Sequence, residues 1–488
     1  MADPFFFRRR LPLPLSINTG LRRLARPPQE ETSLPSRRAP VYLFALSKSF
    51  LVLAGLYLER DYTVSDSKEY KKIVWSWCMY DWANSAFATT MMAAMYPPFF
   101  HAAAVKAGFT PSGATAAWGY FAAAALFIVA VSAPLLGAMA DYMGRRKLFV
   151  GLFAGLGVLC TCAAVFLGDD TWLLAGLLFV GGNVGFAGAN VFYESLLPLI
   201  AKEGDVDTIS ARGYALGYLG GGLLLVVNAL MVVKPHWFGM EGVGFAVRAS
   251  FFSVGVWWGV FSIPLLRNVP EPSRDLKNTS KIPIGEGIAR LAATFRDIKK
   301  YKQLLIFLAA FWVYNDGIGT IIKMATAYGS EIGIGMTHLI GALVLTQFIG
   351  MPCAIAFGAL ASRIGAKACI LIALGVYVII CIAGYFMSTP LHFYILAGLV
   401  GTVQGGSQAL SRSLYAAMTP KAKASEFFGF FSSSAKMAGI AGPLVFGFVS
   451  QAAGESRLSI FSLIVFFAVG AILLLKVDVQ EGIEAAKE

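Results

Sequence analysis

The sequence predicts an all-α membrane protein with twelve transmembrane helices in two pseudo-symmetric six-helix bundles. Three observations predict it. Of 488 residues, 57% are hydrophobic and 14% are charged, against roughly 25% charged in a soluble domain. Apolar runs of the ~20 residues that a bilayer requires recur twelve times from residue 73 onward. Two separate motifs also recur at one offset, 221 or 222 residues, between the halves of that region. The composition excludes a water-soluble enzyme, a disordered chain, and a collagenous or disulfide-built secreted domain.

Residues 1–67 stand apart. Residues 1–38 hold eight Arg and many Pro, and 41–58 are apolar around Lys48. Three readings compete: a thirteenth span, a cleaved targeting segment, and a basic, weakly structured extension, which the reading favours. The spans follow at 73–100, 115–139, 147–167, 171–198, 212–233, 243–266, 303–327, 338–360, 367–387, 391–418, 427–450 and 456–475. Backbone facing lipid must satisfy its own hydrogen bonds, so these runs are helices. The ~10-residue alternating segments of a membrane β-barrel do not occur. The one long linker, 267–302, divides the core into an N-terminal bundle (68–266) and a C-terminal bundle (303–476), with a tail at 477–488. Within the linker, Ile288, Leu291, Phe295 and Ile298 share helical spacing opposite Arg290, Arg296, Lys299 and Lys300. This describes a helix on the membrane surface or one packed between the halves.

Charge sets the expected orientation. Lys68, Lys71, Lys72, Arg145, Arg146, Lys147, Lys202, Arg363, Lys367, Lys421, Lys423 and the linker cations fall on one side, with little more than Lys106, Lys234 and Arg457 on the other. The basic side is expected to be cytoplasmic, so both ends of the core are. The net charge of +12 is read as this loop bias, and no nucleic-acid partner is expected. The six cysteines lie inside apolar runs and read as small buried residues. His101, His236, His338 and His392 fall at the opposite ends of spans without metal spacing. No metal or cofactor is expected.

The repeat carries the functional argument. Gly137-Ala-Met-Ala-Asp141-Tyr-Met-Gly144-Arg145-Arg146-Lys147 follows the second span, and Gly358-Ala-Leu-Ala-Ser362-Arg363-Ile-Gly365-Ala-Lys367 follows the eighth. Tyr193 to Pro198 ends the fourth span, and Tyr415 to Pro420 the tenth. Such duplication indicates parallel halves with a site at their junction near the midplane. The block GAMADYMGRRK resembles the loop signature of the major facilitator superfamily. YDWANSAFATT (80–90), FYESLLPLIA (192–201), GYALGYLGGG (213–222), YNDGIGTIIKMA (314–325) and QGGSQALSRSLYAAMTP (404–420) resemble its branch of vacuolar amino-acid effluxer-like, autophagy-related proteins. The resemblance covers about 70–475 and implies secondary transport by alternating access. Ser362 stands where the second loop copy should carry an acid, which leaves that copy's gating role open.

The polar residues within spans supply candidate roles. In the first loop copy, a two-glycine turn lets helices meet, Asp141 suits a neighbouring helix N-terminus, and Arg145 and Arg146 suit acids at other helix ends. Gly137, Asp141, Gly144, Arg145, Arg146 and Arg412 are therefore the candidate gate, with plain topological anchoring as the alternative. Ionisable groups in spans mark function by default. Asp81, Glu194 and Asp316 are the proton-coupling candidates, Asp316 the foremost as the central acid and Glu194 the second, while Asp81 and Glu194 also suit capping or pairing with Arg. Asp316 invites a partner in Lys436 or Lys323. Asn84, Asn190, Tyr218, Tyr314, Asn315, Gln404, Gln408 and Lys436 are the candidate solute contacts. The stripe Gln404–Gln408–Arg412 is open to a second reading as helix-packing glue. Gly439, Gly442, Pro443, Gly447 and Gly220–Gly222 are hinge or packing sites. Charges of both signs suit a zwitterion. The expected function is proton-driven transport of a small polar solute, amino acids among them, by a monomer in a bilayer. The bacterial cytoplasmic membrane is favoured, with a eukaryotic organelle as the alternative. A non-transporting receptor or scaffold on the same fold is the competing class. An intramembrane enzyme is disfavoured because GxxxxGK[ST], HExxH and GxSxG are all missing.

Overall fold

The computed structural model describes residues 67–271 and 298–487, apart from 110, 169, 203, 332, 333, 335 and 454–456. The expectations for residues 1–66 and for the body of the amphipathic linker helix lie outside the described residues. The described residues form helices and connections, with no strand among them. Helix α1 begins at Ser67–Ala86 and runs on through a π-helical stretch, Phe87–Ala94, into Tyr96–Lys106. The first half continues with α2 (Pro111–Met143), α3 (Arg146–Ala163), α4 (Trp172–Ser195), α5 (Val206–Val233) and α6 (Val243–Asn268). The second half holds α7 (Lys302–Glu331), α8 (Met336–Ile364), α9 (Ala366–Tyr385), α10 (Pro390–Ala417), α11 (Ala424–Ala453) and α12 (Arg457–Ser462 with Ile464–Leu475). A short α13 (Val479–Ala485) follows.

Nine of the described helices are long and apolar enough to cross a membrane. Helices α1, α10 and α11 are not among them. In α1 and α10 the source is visible: Asp81 and Asn84 interrupt one, and Gln404, Gln408 and Arg412 the other. The helices that look least like membrane spans are thus those that carry polar groups into the bundle. Helix α5 starts six residues before its apolar run because apolarity marks the hydrocarbon and not the helix end.

Lipid gives apolar surfaces no drive to associate, so close backbone contact supplies the cohesion. Gly185 of α4 lies against Gly157 and the Phe153 carbonyl of α3. Gly217 and Gly221 of α5 lie against Asp81 and Ser85 of α1. Cys160 fills the space beside Gly181, and Cys162 the space beside Gly255.

The internal repeat reaches atomic detail. Gly144 turns α2 into α3 with φ of 62°, and Gly365 turns α8 into α9 with φ of 84°, a region in which a side chain is strained. The lysine ending each loop copy caps the last helix of its own half. Lys147 Nζ donates to the carbonyls of Leu266 at 3.0 Å and Val269 at 2.6 Å. Lys367 Nζ donates to those of Leu475 at 2.9 Å and Val477 at 2.8 Å. An ammonium at a helix C-terminus satisfies orphan carbonyls and the dipole together. In the first half the Lys147 N–H also donates to Glu271 Oε1 at 2.6 Å. Burial lifts the Glu271 carboxyl above its ordinary value, while Lys147, Arg146 and Arg145 pull it down.

The segment after residue 476, read from the sequence as a tail, contains α13. Asp478 accepts from the N–H groups of Gln480 and Glu481. Gln303 of α7 donates to Glu481 and accepts from the Asp478 N–H. Gly482 sits against Met418 at the end of α10.

Replacing Lys147 by Met removes both carbonyl bonds, and hydrogen bonds to charged groups contribute about 1.5–3 kcal/mol each. The thermal unfolding midpoint in detergent is expected to fall, and to fall less for Lys367→Met, whose ammonium is more exposed. An unchanged midpoint for Lys147→Met would contradict the capping role.

Candidate functional site

The halves meet first at the basic end, through the loop between α2 and α3. Asp141 is buried and bonds Arg146, whose Nη2 lies 2.6 Å from Oδ1. The same carboxylate accepts from the N–H of Ser425 at 3.1 Å and of Glu426 at 2.9 Å, the first turn of α11. A carboxylate there satisfies orphan donors and the positive end of the dipole. Arg146 extends the junction by donating to Ser425 Oγ at 2.8 Å and the Lys421 carbonyl at 3.1 Å. Ser195 of α4 lies 3.0 Å from Ser425, hydroxyl to hydroxyl. Gly137 makes the approach possible, because a Cβ there would run into the backbone of Ser425 and Glu426. Of the two loop arginines, Arg146 makes this contact, while Arg145 stands half-buried at the N-cap of α3. Ser362, the residue matching Asp141, is exposed and donates to Ala359 of its own helix.

The second junction is deeper and is an ion pair. Arg412 of α10 places Nη1 3.0 Å from Asp81 Oδ2 of α1. Its Nε donates to Ser210 Oγ and its Nη2 to the Ser210 carbonyl on α5, both at 2.9 Å. Its guanidinium lies 4.3 Å from the Tyr214 ring centre and 4.8 Å from that of Trp77. Trp77 is fixed by a bond from Nε1 to the Tyr193 carbonyl and by stacking on the Tyr193 ring at 4.5 Å. Glu194, half-buried, follows Tyr193 on α4. Arg412 is 1% exposed and Asp81 8%, so two charges and two aromatic faces are held out of water between the halves. Gly213 leaves the room, since a Cβ there would meet Asp81 Oδ2 and Arg412 Nη2. Nearer the basic end, Ser413 of α10 donates to Asp207 of α5 at 2.5 Å.

Beyond the ion pair lie the remaining polar groups. Asn84 donates to Asn190 at 2.6 Å, joining α1 to α4. Tyr218 of α5 points its hydroxyl at Gln408 of α10, 3.5 Å away. Tyr218, a candidate solute contact, is buried, its ring wedged against Gly350 and Gly405 of the other half. Tyr314 is also buried, hydroxyl to hydroxyl with Ser411 at 2.6 Å within the second half. Asn315 is half-buried one residue further on. Asp316 is buried, and its Oδ2 accepts from the Gly442 N–H of α11 at 2.8 Å. The side chains of Lys436 and Lys323 lie outside the described ones, and with them the pairing expected for Asp316.

A cavity of about 110 Å³ lies inside the second half. It is walled by apolar residues such as Ile321, Ala342, Ile380, Val400 and Phe446, and Gln404 reaches it from the polar stripe. The expectation put the site at the junction of the halves. Here Gln404 stands where the second-half cavity and the junction stripe meet.

This architecture has solved counterparts. It superposes on a proton:xylose symporter, XylE, with a TM-score of 0.63 at 14% identity, covering 84% of this chain and 94% of that one. It superposes on the Escherichia coli fucose:proton symporter FucP with a TM-score of 0.61 at 15% identity, covering 84% and 99%. These likenesses establish the major facilitator fold. The profile of the family described as "Vacuole effluxer Atg22 like" matches residues 69–487.

The chain belongs to the Atg22-like family. A Bacillus subtilis relative called an uncharacterized MFS-type transporter, YxiO, is 38% identical over 425 residues, 86% of this chain and 98% of the relative. Autophagy-related protein 22 of Saccharomyces cerevisiae is 27% identical over 403 residues, 71% and 74% of the two chains. The chain is a multi-pass membrane transporter of the major facilitator superfamily, and its homologues are not enzymes.

Sequence reasoning missed Ser210, Tyr214, Trp77 and Ser425, the groups that surround the two junctions. A buried Arg demands an acid, and the sequence allowed Asp81 an Arg partner without naming Arg412 as that partner. Nothing in one sequence says that α5 passes between them. Removing one partner of a buried ion pair costs about 3–5 kcal/mol, because the other is left uncompensated. Asp81→Ala and Arg412→Ala are each expected to lower the unfolding midpoint sharply, and the double replacement by less than the two combined. Strict additivity of the two losses would show that the pair does not act as a unit.

Proposed function

We propose that this protein moves a small polar solute across a membrane by alternating access, with the Asp81–Arg412 ion pair as the contact that must break in each cycle. That cross-half ion pair carries the proposal. A polar network tying one half to the other is a two-state element: it holds the basic end shut, and its release lets the halves part there. We take the basic end as cytoplasmic on the charge rule, in a bacterial cytoplasmic membrane by analogy with the Bacillus relative.

Asp81 is the proton carrier favoured by this arrangement. A proton on Asp81 removes the charge that answers Arg412 and weakens the closed state, while a deprotonated Asp81 restores it. Glu194, next to Tyr193 on α4, is the second acid. Asp316, clamped by the Gly442 N–H, serves the packing of α7 on α11 in this reading. Asn84, Asn190, Gln404 and Gln408 offer amide donors and acceptors above the pair, and the freed Arg412 offers a cation to a carboxylate. An amino-acid zwitterion fits that set, with an apolar side chain directed into the cavity beyond Gln404. The symporter neighbours, named for proton coupling to xylose and fucose, support the coupling by fold alone.

Uptake of labelled amino acids and sugars into proteoliposomes under imposed pH gradients tests this directly. Flux is expected to follow the gradient in the natural protein. In Asp81→Asn it is expected to lose that response while solute binding, read by thermal shift, persists. Flux indifferent to the gradient in the natural protein would remove proton coupling, and an Asp81→Asn variant that still follows the gradient would move it to another acid.

A further inference from the structure

Three contacts between α5 and α8 march in opposite directions along the two helices. A Cβ at Gly358 would touch Ala211, Gly350 faces the ring of Tyr218, and a Cβ at Gly222 would lie 3.3 Å from Gln347 Cβ. The middle contact is a knob in a socket. A Cβ at Gly350 would meet Tyr218 Cδ1 at 3.1 Å, and one at Gly405 of α10 would meet Cε2 at 2.7 Å. Gly405 in turn faces the Gly350 carbonyl and the Ala354 methyl. The ring of one half therefore fills a hole walled by two glycines of the other, and its hydroxyl reaches Gln408. Tyr218 lies twelve residues into α5, about 18 Å from its basic end at the ~1.5 Å rise of a helix. That is close to the middle of a ~30 Å hydrocarbon core.

The two kinds of cross-half contact differ in chemistry. Toward the basic end, close packing at Gly137 and Gly358 is joined by ionic and hydrogen-bonded contacts: Asp141–Ser425, Arg146–Lys421, Ser413–Asp207 and Arg412–Asp81. Such contacts exchange readily for water or solute. The Tyr218 contact is steric, tightly packed and nearly dry, and its loss would open a cavity in the wall. When two rigid bodies rock, contacts far from the axis separate and those on the axis persist.

We propose that Tyr218, seated between Gly350 and Gly405, is the fulcrum on which the halves rock, a positioning residue retained in both orientations. The inference rests on the transport reading above but assigns the pivot to the protein itself and not to bound solute.

The test uses the full chain with Gly222→Cys and Gln347→Cys, one turn beyond Tyr218. Their spacing is near the ~3.5–4.5 Å between Cβ atoms of a disulfide. The comparison pair is Ser195→Cys with Ser425→Cys at the basic end. The natural chain, with its six cysteines, receives the same oxidant as a control. Oxidised 222/347 protein is expected to transport at no less than half the rate of its reduced form, while oxidised 195/425 protein falls at least tenfold and recovers on reduction. A tenfold, reducible loss on oxidising 222/347 would overturn the fulcrum and leave the transport reading intact. No flux from the natural chain would sink the transport reading instead. A second readout needs no flux. With Asp141→Asn added to loosen the basic end, the 222/347 pair is expected to cross-link as completely as before and the 195/425 pair less. Loss of 222/347 cross-linking there would overturn the proposal on its own. At the ring, Tyr218→Phe is expected to keep flux within twofold and Tyr218→Ala to lose tenfold at unchanged solute binding. Equal flux in the two variants would contradict the steric role.

Discussion

A guanidinium in the middle of a lipid-embedded bundle cannot stand alone. The penalty for an unanswered charge in that medium is several kcal/mol, so the position of Arg412 dictates much of what surrounds it. Asp81 has to reach it from the other half. Ser210 must turn both its hydroxyl and its carbonyl toward it, Trp77 and Tyr214 must lend their ring faces, and Gly213 must leave space. Each of these groups belongs to the first half, and Arg412 belongs to the second. The constraint that stabilises the pair is therefore also the one that joins the bundles.

The basic-end junction obeys a related rule with different chemistry. Asp141 answers the buried, otherwise orphaned N–H groups and positive dipole of α11 together with the buried Arg146. Duplication of the halves did not preserve this arrangement. Lys147 and Lys367 both cap the final helix of their bundle, so that part of the motif occurs twice, whereas Ser362 bonds only within its own helix among the described residues. The symmetry of the fold and the asymmetry of its polar contacts fit a molecule that closes one end by a specific lock.

Much of this was legible in the chain, because lipid punishes polarity so severely that every exception is conspicuous. Each expected span coincides with one of the helices α1 to α12 among the described residues, nine of them apolar enough to cross a membrane, and the repeat of Gly144 at Gly365 located the two matching turns. Asp141 with Arg145 and Arg146 read as a candidate gate, Asp81 as an in-span acid open to an Arg partner, and Arg412 as the end of a polar stripe. What could not be read was identity across the junction. Ser210, Ser425 and Tyr214 are ordinary residues in ordinary helices, and only the packing of α5 and α11 against the opposite half makes them neighbours. Tyr218 reads from the sequence only as a candidate solute contact, because nothing in one sequence places Gly350 and Gly405 of the other half around its ring. Helix α13 was hidden because its seven residues are anchored by Gln303, some 175 positions away in sequence.

The central claim is that the basic ends of the two halves separate when the buried pair is released. Spin labels in place of the exposed Arg212 on α5 and Arg363 on α8 report that separation as a distance distribution in nanodiscs. The account predicts a short and a long population, with Asp81→Asn moving weight to the long one. A single distance that neither the substitution nor added solute shifts would contradict it.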